Sequence, residues 1–485
     1  MQIQLAGKGR KKGIRFKKHI IIAILLTIFI LNGFVRLPPQ EIAYESPIMQ
    51  DSNVEFLYDL TYDRGGKSVR DHQIFDQQLQ LIKEAEDFII IDMFLFNDDY
   101  KRLDGLSYPD LSDQLTSALI NKKKGNPHIK ILFITDEINN FYGAYESPYI
   151  SRLKDNGIDV VITNLEKLRD SNPLYAGVWR SAIKWLGTAG RGWLPNPFSP
   201  DSPKVTLRAY LKLLNFKANH RKVIITDKAA IISSMNPHDA SGNHSNIGFK
   251  LTGPIIEDLI ETELAVAKLS AYKDIDAFNL SFNYQNQESN SLVSIITESK
   301  IRDKLISQIA NSKKGERITM AIFYLSHRGI IGELIKAGKR GVDVRIILDA
   351  NKDAFGIEKN GVPNRQAALE MVRKTNGNIG VRWYNTKGEQ FHSKLTLIEK
   401  ADRSIIIGGS ANLTRRNLDD YNLETNVFIE TLRGTDLDND IKSYFHRIWT
   451  NTDADYTLDY GEYEDKSLLK ILQYRIQEGS GLSSF

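Results

Sequence analysis

One pattern of residues occurs twice in this chain. His220-Arg221-Lys222 is followed, after four intervening residues, by Asp227 and then by Ser233-Ser234-Met235-Asn236. His392-Ser393-Lys394 is followed at the same interval by Glu399 and then by Gly409-Ser410-Ala411-Asn412. Ten residues beyond each of these asparagines stands another, Asn246 and Asn422. A single H-x-K is common on surface strands. Two copies with matching downstream turns imply a duplicated unit, and so two lobes built alike.

The duplication extends upstream. Met93-Phe94-Leu95-Phe96 corresponds to Ile322-Phe323-Tyr324-Leu325, and the segment Ile129 to Asp136 corresponds to Val342 to Asp349. These short, β-branched runs read as buried strands, with helical stretches near 108–123 and 329–339 between them. The alternation predicts an α/β fold: two pseudo-repeated sandwich lobes, each with helices on a largely parallel sheet. Each H-x-K opens a strand, Lys222 to Asp227 or Lys394 to Glu399. Residues two apart on a strand share a face, so His and Lys of each motif point the same way.

The halves differ in length. Ile129 and His220 lie 91 positions apart, Val342 and His392 only 50. The extra residues are placed in 165–215, which holds Trp179, Trp185 and Trp193 together with Pro195, Pro197, Pro200 and Pro203. The prolines mark a loop; the tryptophans fit either packing on the lobe or contact with a membrane interface. The expected organisation is a basic tail at 1–18, an anchor at 19–36, a first lobe at 50–275 with its insertion, a second lobe at 290–455, and a terminal helix and tail at 456–485. The junction is expected in the polar run from Ser281 to Ser291.

Seven lysines and arginines and no acid occupy residues 1–18, and an apolar run from Ile20 to Val35 follows, broken only by Thr27, Asn32 and Gly33. As a helix this run spans about 24 Å, somewhat short of the ~30 Å hydrocarbon core. With Lys18 and Arg36 reaching to the interfaces, it reads as an uncleaved single-pass anchor whose basic end stays cytoplasmic. The alternative is a signal peptide, but no A-x-A-like site follows. The chain is +4 in total, while residues 1–36 contribute +8, so the body carries −4. A faintly acidic body argues against a nonspecific nucleic-acid binder, so no nucleic-acid partner is expected. There is no cysteine, which excludes disulfides, thiol nucleophiles and thiolate metal sites.

The paired motifs resemble the HKD signatures of the phospholipase D superfamily, over most of residues 50–450. The resemblance implies phospholipase D-like lobes that bring one motif each to a single shared site. It implies phosphodiester cleavage through a phosphohistidine, without metal or other cofactor. Two departures stand out. Glu399 occupies a position where the family usually has Asp. The family's orienting carboxylate matches Glu424 in the second half, but its counterpart in the first half is read as Gly248, which leaves one histidine without an assigned partner; Asp239 is a candidate.

The chemistry needs a nucleophile, an acid for the leaving alkoxide, and positive charge near the nonbridging oxygens. An imidazole supplies the first and an imidazolium the second. Lys222 and Lys394 supply charge; Asn236, Asn412, Ser234 and Ser410 are expected to hydrogen-bond the phosphate. Asp227 and Glu399 are expected to hold the strand ends. The resemblance makes His220 the nucleophile and His392 the acid and base. His238 and His244 lie close by in sequence and read as loop or core residues, with lining of the pocket as the alternative; their spacing makes no convincing metal pair. The expected function is a membrane-anchored phospholipase D-type phosphodiesterase or phosphatidyltransferase, with a membrane phospholipid as substrate and water or an alcohol as acceptor. Cardiolipin synthesis, a phospholipase D-like nuclease and an inactive phosphate-binding scaffold are the alternatives.

Overall fold

The computed structural model describes residues 6–34, 42–50, 52–100, 108–278, 289–354 and 357–481. The centre of the expected junction, 281–288, lies outside the described residues. In the first half, β1 (Asn53–Arg64), β2 (Lys67–Asp71), β3 (Phe88–Met93), β4 (Lys130–Thr135), β5 (Asp159–Ile162), β6 (Lys222–Thr226), β7 (Ala230–Ser233) and β8 (Asn246–Thr252) form one sheet in the order 2-1-8-7-6-3-4-5. The second half begins with β9 (Ser291–Thr297), β10 (Arg317–Ile322) and β11 (Asp343–Asp349), followed by a short hairpin of β12 (Asp353–Ala354) and β13 (Ile357–Glu358). It continues with β14 (Ile379–Tyr384), β15 (Lys394–Glu399), β16 (Arg403–Gly409), β17 (Thr425–Leu432) and β18 (Thr457–Asp459). The second sheet has the order 18-14-11-10-15-16-17-9.

Seven strands of each sheet superimpose in connectivity: 1-8-7-6-3-4-5 against 9-17-16-15-10-11-14. The duplication seen in sequence is therefore a duplication of topology. The expected largely parallel sheet is corrected to a mixed one. Only β3–β4–β5 and β10–β11–β14 are parallel, and every other pairing in the two sheets is antiparallel. The chain length between strands explains this. Parallel neighbours need a crossover, and the β3–β4, β4–β5, β10–β11 and β11–β14 connections each contain a helix that makes one. The links from β6 to β7 and from β15 to β16 are too short for anything but antiparallel return.

The sheets are covered on both sides, which is why β3 reads Phe-Ile-Ile-Ile without polar alternation. On the outer face of the first sheet, Ile89, Ile91, Phe133 and Ile224 pack on the helices Ile74–Glu84 and Leu111–Gly125. On the other face, Ile90, Ile232 and Phe249 join Leu395, Leu397, Ile406 and Val427 of the second sheet in one continuous core. The lobes thus meet sheet to sheet, with the helices Ile255–Leu269 and Asp436–Thr450 sealing the same core. Gly408 permits the close approach: a Cβ there would meet the Phe249 ring at 2.8 Å.

Three boundaries differ from expectation. Residues 42–50 run beside β9, with Ser46 N donating to Ile295 O (2.9 Å) and Met49 N to Val293 O (2.8 Å), so the approach to the first lobe borders the second sheet. Residues 457–459 are not tail but the edge strand β18, paired with β14. Of the segment expected to span a membrane, 19–36, residues 19–34 belong to a helix, Ala6–Phe34, and 35–36 lie outside the described residues. No helix among the described residues is long and apolar enough to cross a membrane, so the expected spanning helix is not part of the described fold. Its apolar run is short, and Asn32 in its last turn meets the body, Nδ2 donating to Ser181 Oγ at 2.8 Å.

Candidate active site

Each motif histidine stands just before its strand, where the two sheets meet, and each is held by the opposite lobe. His220 N donates to Leu423 O (2.9 Å), and Leu423 N to Ala218 O (3.0 Å). His392 N donates to Ser245 O (2.8 Å), and Ser245 N to Gln390 O (3.0 Å). Two parallel bridges, Asn219 with Leu423 and Phe391 with Ser245, therefore cross the interface with approximate twofold symmetry. The symmetry fixes which residues correspond. Leu423 matches Ser245, so Glu424 matches Asn246, and Asn422 matches His244. The sequence pairings of Asn246 with Asn422 and of Gly248 with Glu424 are both corrected by two residues. The loop after Asn236 is that much shorter than the loop after Asn412.

This correspondence supplies both orienting partners. His220 Nδ1 faces both oxygens of Glu424, at 2.8 and 3.0 Å. His392 Nδ1 faces Asn246 Oδ1 at 3.2 Å. Each partner comes from the other half of the chain. Asp239 is not one of them; its carboxylate accepts from Ser112 N (3.0 Å). A carboxylate only accepts, so His220 carries its proton on Nδ1 and leaves Nε2 with a lone pair. Asn246 Nδ2 faces two acceptors, His244 O (3.2 Å) and Asp59 Oδ2 (3.4 Å), which turns its oxygen toward His392 and fixes the same tautomer there.

Burial governs the charges. It pulls His220 down to about 4, although Glu424 pulls upward. It pulls His392 well below its ordinary range, with Lys394 and Lys222 adding to the effect. Burial alone would raise Glu424, but His220, Lys222 and Ser410 hold it below the usual carboxylate value. The resting pair is a neutral His220 beside an ionised Glu424. Lys222 is drawn down to about 7 by desolvation, and Lys394 falls well below its ordinary value for the same reason. A phosphate dianion or diester entering the site would restore both charges.

The lysines sit behind the histidines rather than in the cleft wall. Lys222 Nζ donates to His220 O and Lys394 Nζ to His392 O, both at 2.7 Å. Lys222 lies over the Phe94 ring (5.2 Å) and Lys394 over the Phe323 ring (5.1 Å). The same two phenylalanines flank the histidines, with ring centroids 4.8 and 4.9 Å apart. They come from the matched segments that leave β3 and β10.

Several supporting residues escaped the sequence reading. Asp136 Oδ2 accepts from Asn219 N (2.6 Å) and Asp349 Oδ2 from Phe391 N (2.8 Å), so each carboxylate grips the residue preceding a motif histidine. Burial raises both to about 7. The signal was present: each is the last residue of the matched upstream segment, at or just past the end of its strand. Arg221, the middle residue of the first motif, is fully buried. It donates to Glu298 Oε1 (2.8 Å) and Glu263 Oε1 (3.2 Å). Glu298 Oε1 in turn accepts from Glu424 N (3.0 Å), so the motif's own spacer residue anchors the backbone of the carboxylate that orients His220. No sequence pattern marks that contact.

The remaining expected residues divide by role. Asn236 and Asn412 line the cleft. Asn236 Oδ1 accepts from Leu95 N (3.4 Å), and Asn412 Oδ1 has no hydrogen-bond partner among the described residues. Ser234 and Ser410, expected at the phosphate, are instead buried behind the histidines: Ser234 Oγ donates to Asn246 Oδ1 (3.2 Å) and Ser410 Oγ to Glu424. Asp227 accepts from Glu86 N (2.8 Å) and Asp87 N (3.2 Å), which ties the far end of β6. Glu399 pairs with Arg433 (3.3 Å) and Arg317 (3.7 Å) at the far end of β15. Both acids are remote from the cleft. His238, with Nδ1 on Ser241 Oγ at 3.0 Å, lines the cleft, as does His244, whose ring centroid is 6.0 Å from that of His392.

The cleft has a volume of about 320 Å³, and both motif histidines open onto it. Pro197 and Phe198 of the first-lobe insertion and Arg416 and Asn417 of the second lobe complete its wall. Residues 305–449 match the family described as cardiolipin synthase, PLD-like domain. The chain belongs to the phospholipase D superfamily. Cardiolipin synthases of two Clostridium perfringens strains are 25% and 24% identical to it over 379 residues. The match takes in 74% of this chain and 65% of the relatives, so it spans just under two thirds of their length. The crystal structure of phosphatidylserine synthase from Haemophilus influenzae shares the fold of this superfamily member. Its TM-score is 0.54 at 12% identity, covering 88% of this chain and 94% of that one.

Proposed function

We propose that the protein is a membrane-associated phosphatidyltransferase of the phospholipase D type, which breaks a glycerophospholipid diester through a phosphohistidine on His220. The observation that carries this is the pair of crossed histidines on one cleft, each with Nδ1 tied and Nε2 left for the substrate. In the first step His220 Nε2 forms a bond to phosphorus and the bond to the departing alcohol breaks. His392, neutral at rest, takes up a proton on Nε2 as the anionic diester enters beside it, and gives that proton to the alkoxide. In the second step the neutral His392 takes the proton of an entering hydroxyl. The oxygen bonds to phosphorus and His220 leaves. Glu424 balances the positive charge on the His220 ring while phosphorus is attached. Lys222 and Lys394, held behind the histidines, supply positive charge to the site from its second layer once the anionic substrate restores their protons.

The likeness to cardiolipin synthases favours an alcohol, such as a second phosphatidylglycerol, over water as the acceptor. The mechanism is the same for either. Exposed Ile21, Ile22, Ile24 and Leu31 on the amino-terminal helix, next to its basic end, supply the membrane association. The test is incubation of the purified protein with mixed labelled phospholipids, with and without added alcohol, and identification of products by mass. Cardiolipin or an exchanged headgroup supports transfer, and phosphatidic acid alone supports hydrolysis. Absence of any lipid product, with turnover of an oligonucleotide, would replace this reading with the nuclease.

A further inference from the structure

Outside the amino-terminal helix, twelve large apolar side chains stand exposed among the described residues, and half of them fall within the first-lobe insertion. They are Leu174, Trp185, Leu186, Trp193, Leu207 and Leu214. Trp185 is 78% and Trp193 64% exposed, whereas Trp179, six residues before Trp185, is buried. The insertion thus packs with one tryptophan and presents two. A monomeric soluble protein rarely gathers such side chains in one segment without a partner.

The segment is built, not loose. Trp193 and Leu194 N both donate to Val205 O (3.1 Å), and Val205 N returns a bond to Leu194 O (2.9 Å). Thr206 Oγ1 donates to Thr188 O (2.6 Å) and Arg208 to Ala189 O (2.7 Å). These bonds stitch 188–194 against 204–208. Beyond Leu194 the chain runs directly to Pro197 and Phe198, which wall the catalytic cleft. Pro197 lies four positions beyond Trp193, a reach of at most about 14 Å.

Two further observations point to the occupant. The amino-terminal helix, with its own exposed apolar run, ends on the insertion: Asn32 bonds Ser181, and Gly33 lies against the Pro173 carbonyl. Between Trp179 and Asn215 there are six basic residues and a single acid, Asp201. Arg180, Lys184 and Lys212 pair with Asp170, Glu166 and Glu137, while Arg191 and Lys204 stand exposed near the tryptophans. Indole rings framed by cations and joined to an apolar helix match the interface of an anionic bilayer.

We propose that the insertion is the surface by which this protein docks onto an anionic phospholipid bilayer, with Trp185 and Trp193 entering the headgroup layer so that the cleft opens beside it. The inference rests on the phospholipid reading of the site, and deepens it by naming the face that meets the lipid.

The test uses the full chain and vesicles of phosphatidylglycerol or phosphatidylcholine carrying brominated acyl chains. Tryptophan emission of the wild type should be quenched by brominated phosphatidylglycerol, and less by phosphatidylcholine. In W185S/W193S the quenching should vanish, and turnover of vesicle lipid should fall by about tenfold or more. Cleavage of a soluble aryl phosphodiester should be unchanged, since neither indole lines the cleft. An R191Q/K204Q variant should lose the preference for phosphatidylglycerol. Wild-type emission indifferent to brominated vesicles overturns the proposal. So does concentration-dependent self-association that covers the tryptophans instead. Quenching is read without turnover, so a failure of the substrate reading shows separately, as absent cleavage of any diester.

Discussion

Replacing Glu424 by Gln tests whether the crossed pairing is what makes His220 competent. The Glu424 carboxylate accepts from three donors: His220 Nδ1 at 2.8 Å, Ser410 Oγ and Asn417 Nδ2. Glutamine offers one oxygen and turns an NH2 toward groups that also donate, so at least one buried donor goes unsatisfied. A hydrogen bond to a buried charge contributes about 1.5–3 kcal/mol, and an orphaned donor costs about 1–3 kcal/mol. The part felt by the reaction is the charge on the phosphorylated ring, which the carboxylate balances and the amide does not. About 2–4 kcal/mol of transition-state stabilisation should disappear, which lowers kcat roughly 30- to 1,000-fold. KM should hold, because Glu424 lies behind His220 and not in the cleft wall. The assay is steady-state cleavage of an aryl phosphodiester, with rapid quenching and intact mass to follow the phosphoenzyme. A kcat within about threefold of wild type, or a loss that appears wholly in KM, would refute the positioning role.

The pH dependence follows from the same pair. His220 attacks only when unprotonated, and burial sets it at about 4. Activity on an aryl diester, whose leaving group needs little acid, should therefore stay level as pH falls from 7 toward 5 and then decline through about 4. In Glu424→Gln the upward pull on His220 is gone, so the acid limb should move to still lower pH; a shift toward neutrality would contradict the assignment. His220→Asn should abolish the covalent adduct, whereas His392→Asn should accumulate it on an aryl substrate. The reverse pattern by intact mass exchanges the two roles. Arg221→Gln leaves Glu298 and Glu263 buried without their cation, and should destabilise the fold by about 3–5 kcal/mol in urea titration. An unchanged midpoint would show that the clamp contributes nothing.

The repeat was legible in the chain because the motif residues are contiguous and buried strands leave a plain apolar signature. Met93 and Ile322 indeed end equivalent strands, and the motif histidines do converge. Sequence and structure part where the two halves differ in loop length. Counting ten residues from Asn236 and from Asn412 equated Asn246 with Asn422, but a loop two residues shorter moves Asn246 into the place of Glu424. Residue type alone points Ser234 and Ser410 toward the phosphate. Their hydroxyls instead serve the orienting residues, a distinction that depends on which way a turn faces.

By itself the sequence determined that there are two like lobes, that each carries one H-x-K motif, and that one lobe bears a tryptophan-rich insertion. These are properties of local pattern: strand periodicity, residue type and spacing. The tertiary structure decided the pairing of parts. Each histidine is oriented by the other half of the chain, one by a carboxylate and one by an amide, and Arg221 reaches across to Glu298. Such contacts join residues 77 to 204 positions apart. They exist because two sheets pack face to face, and a hydrogen bond across that interface leaves no periodicity in either strand that makes it.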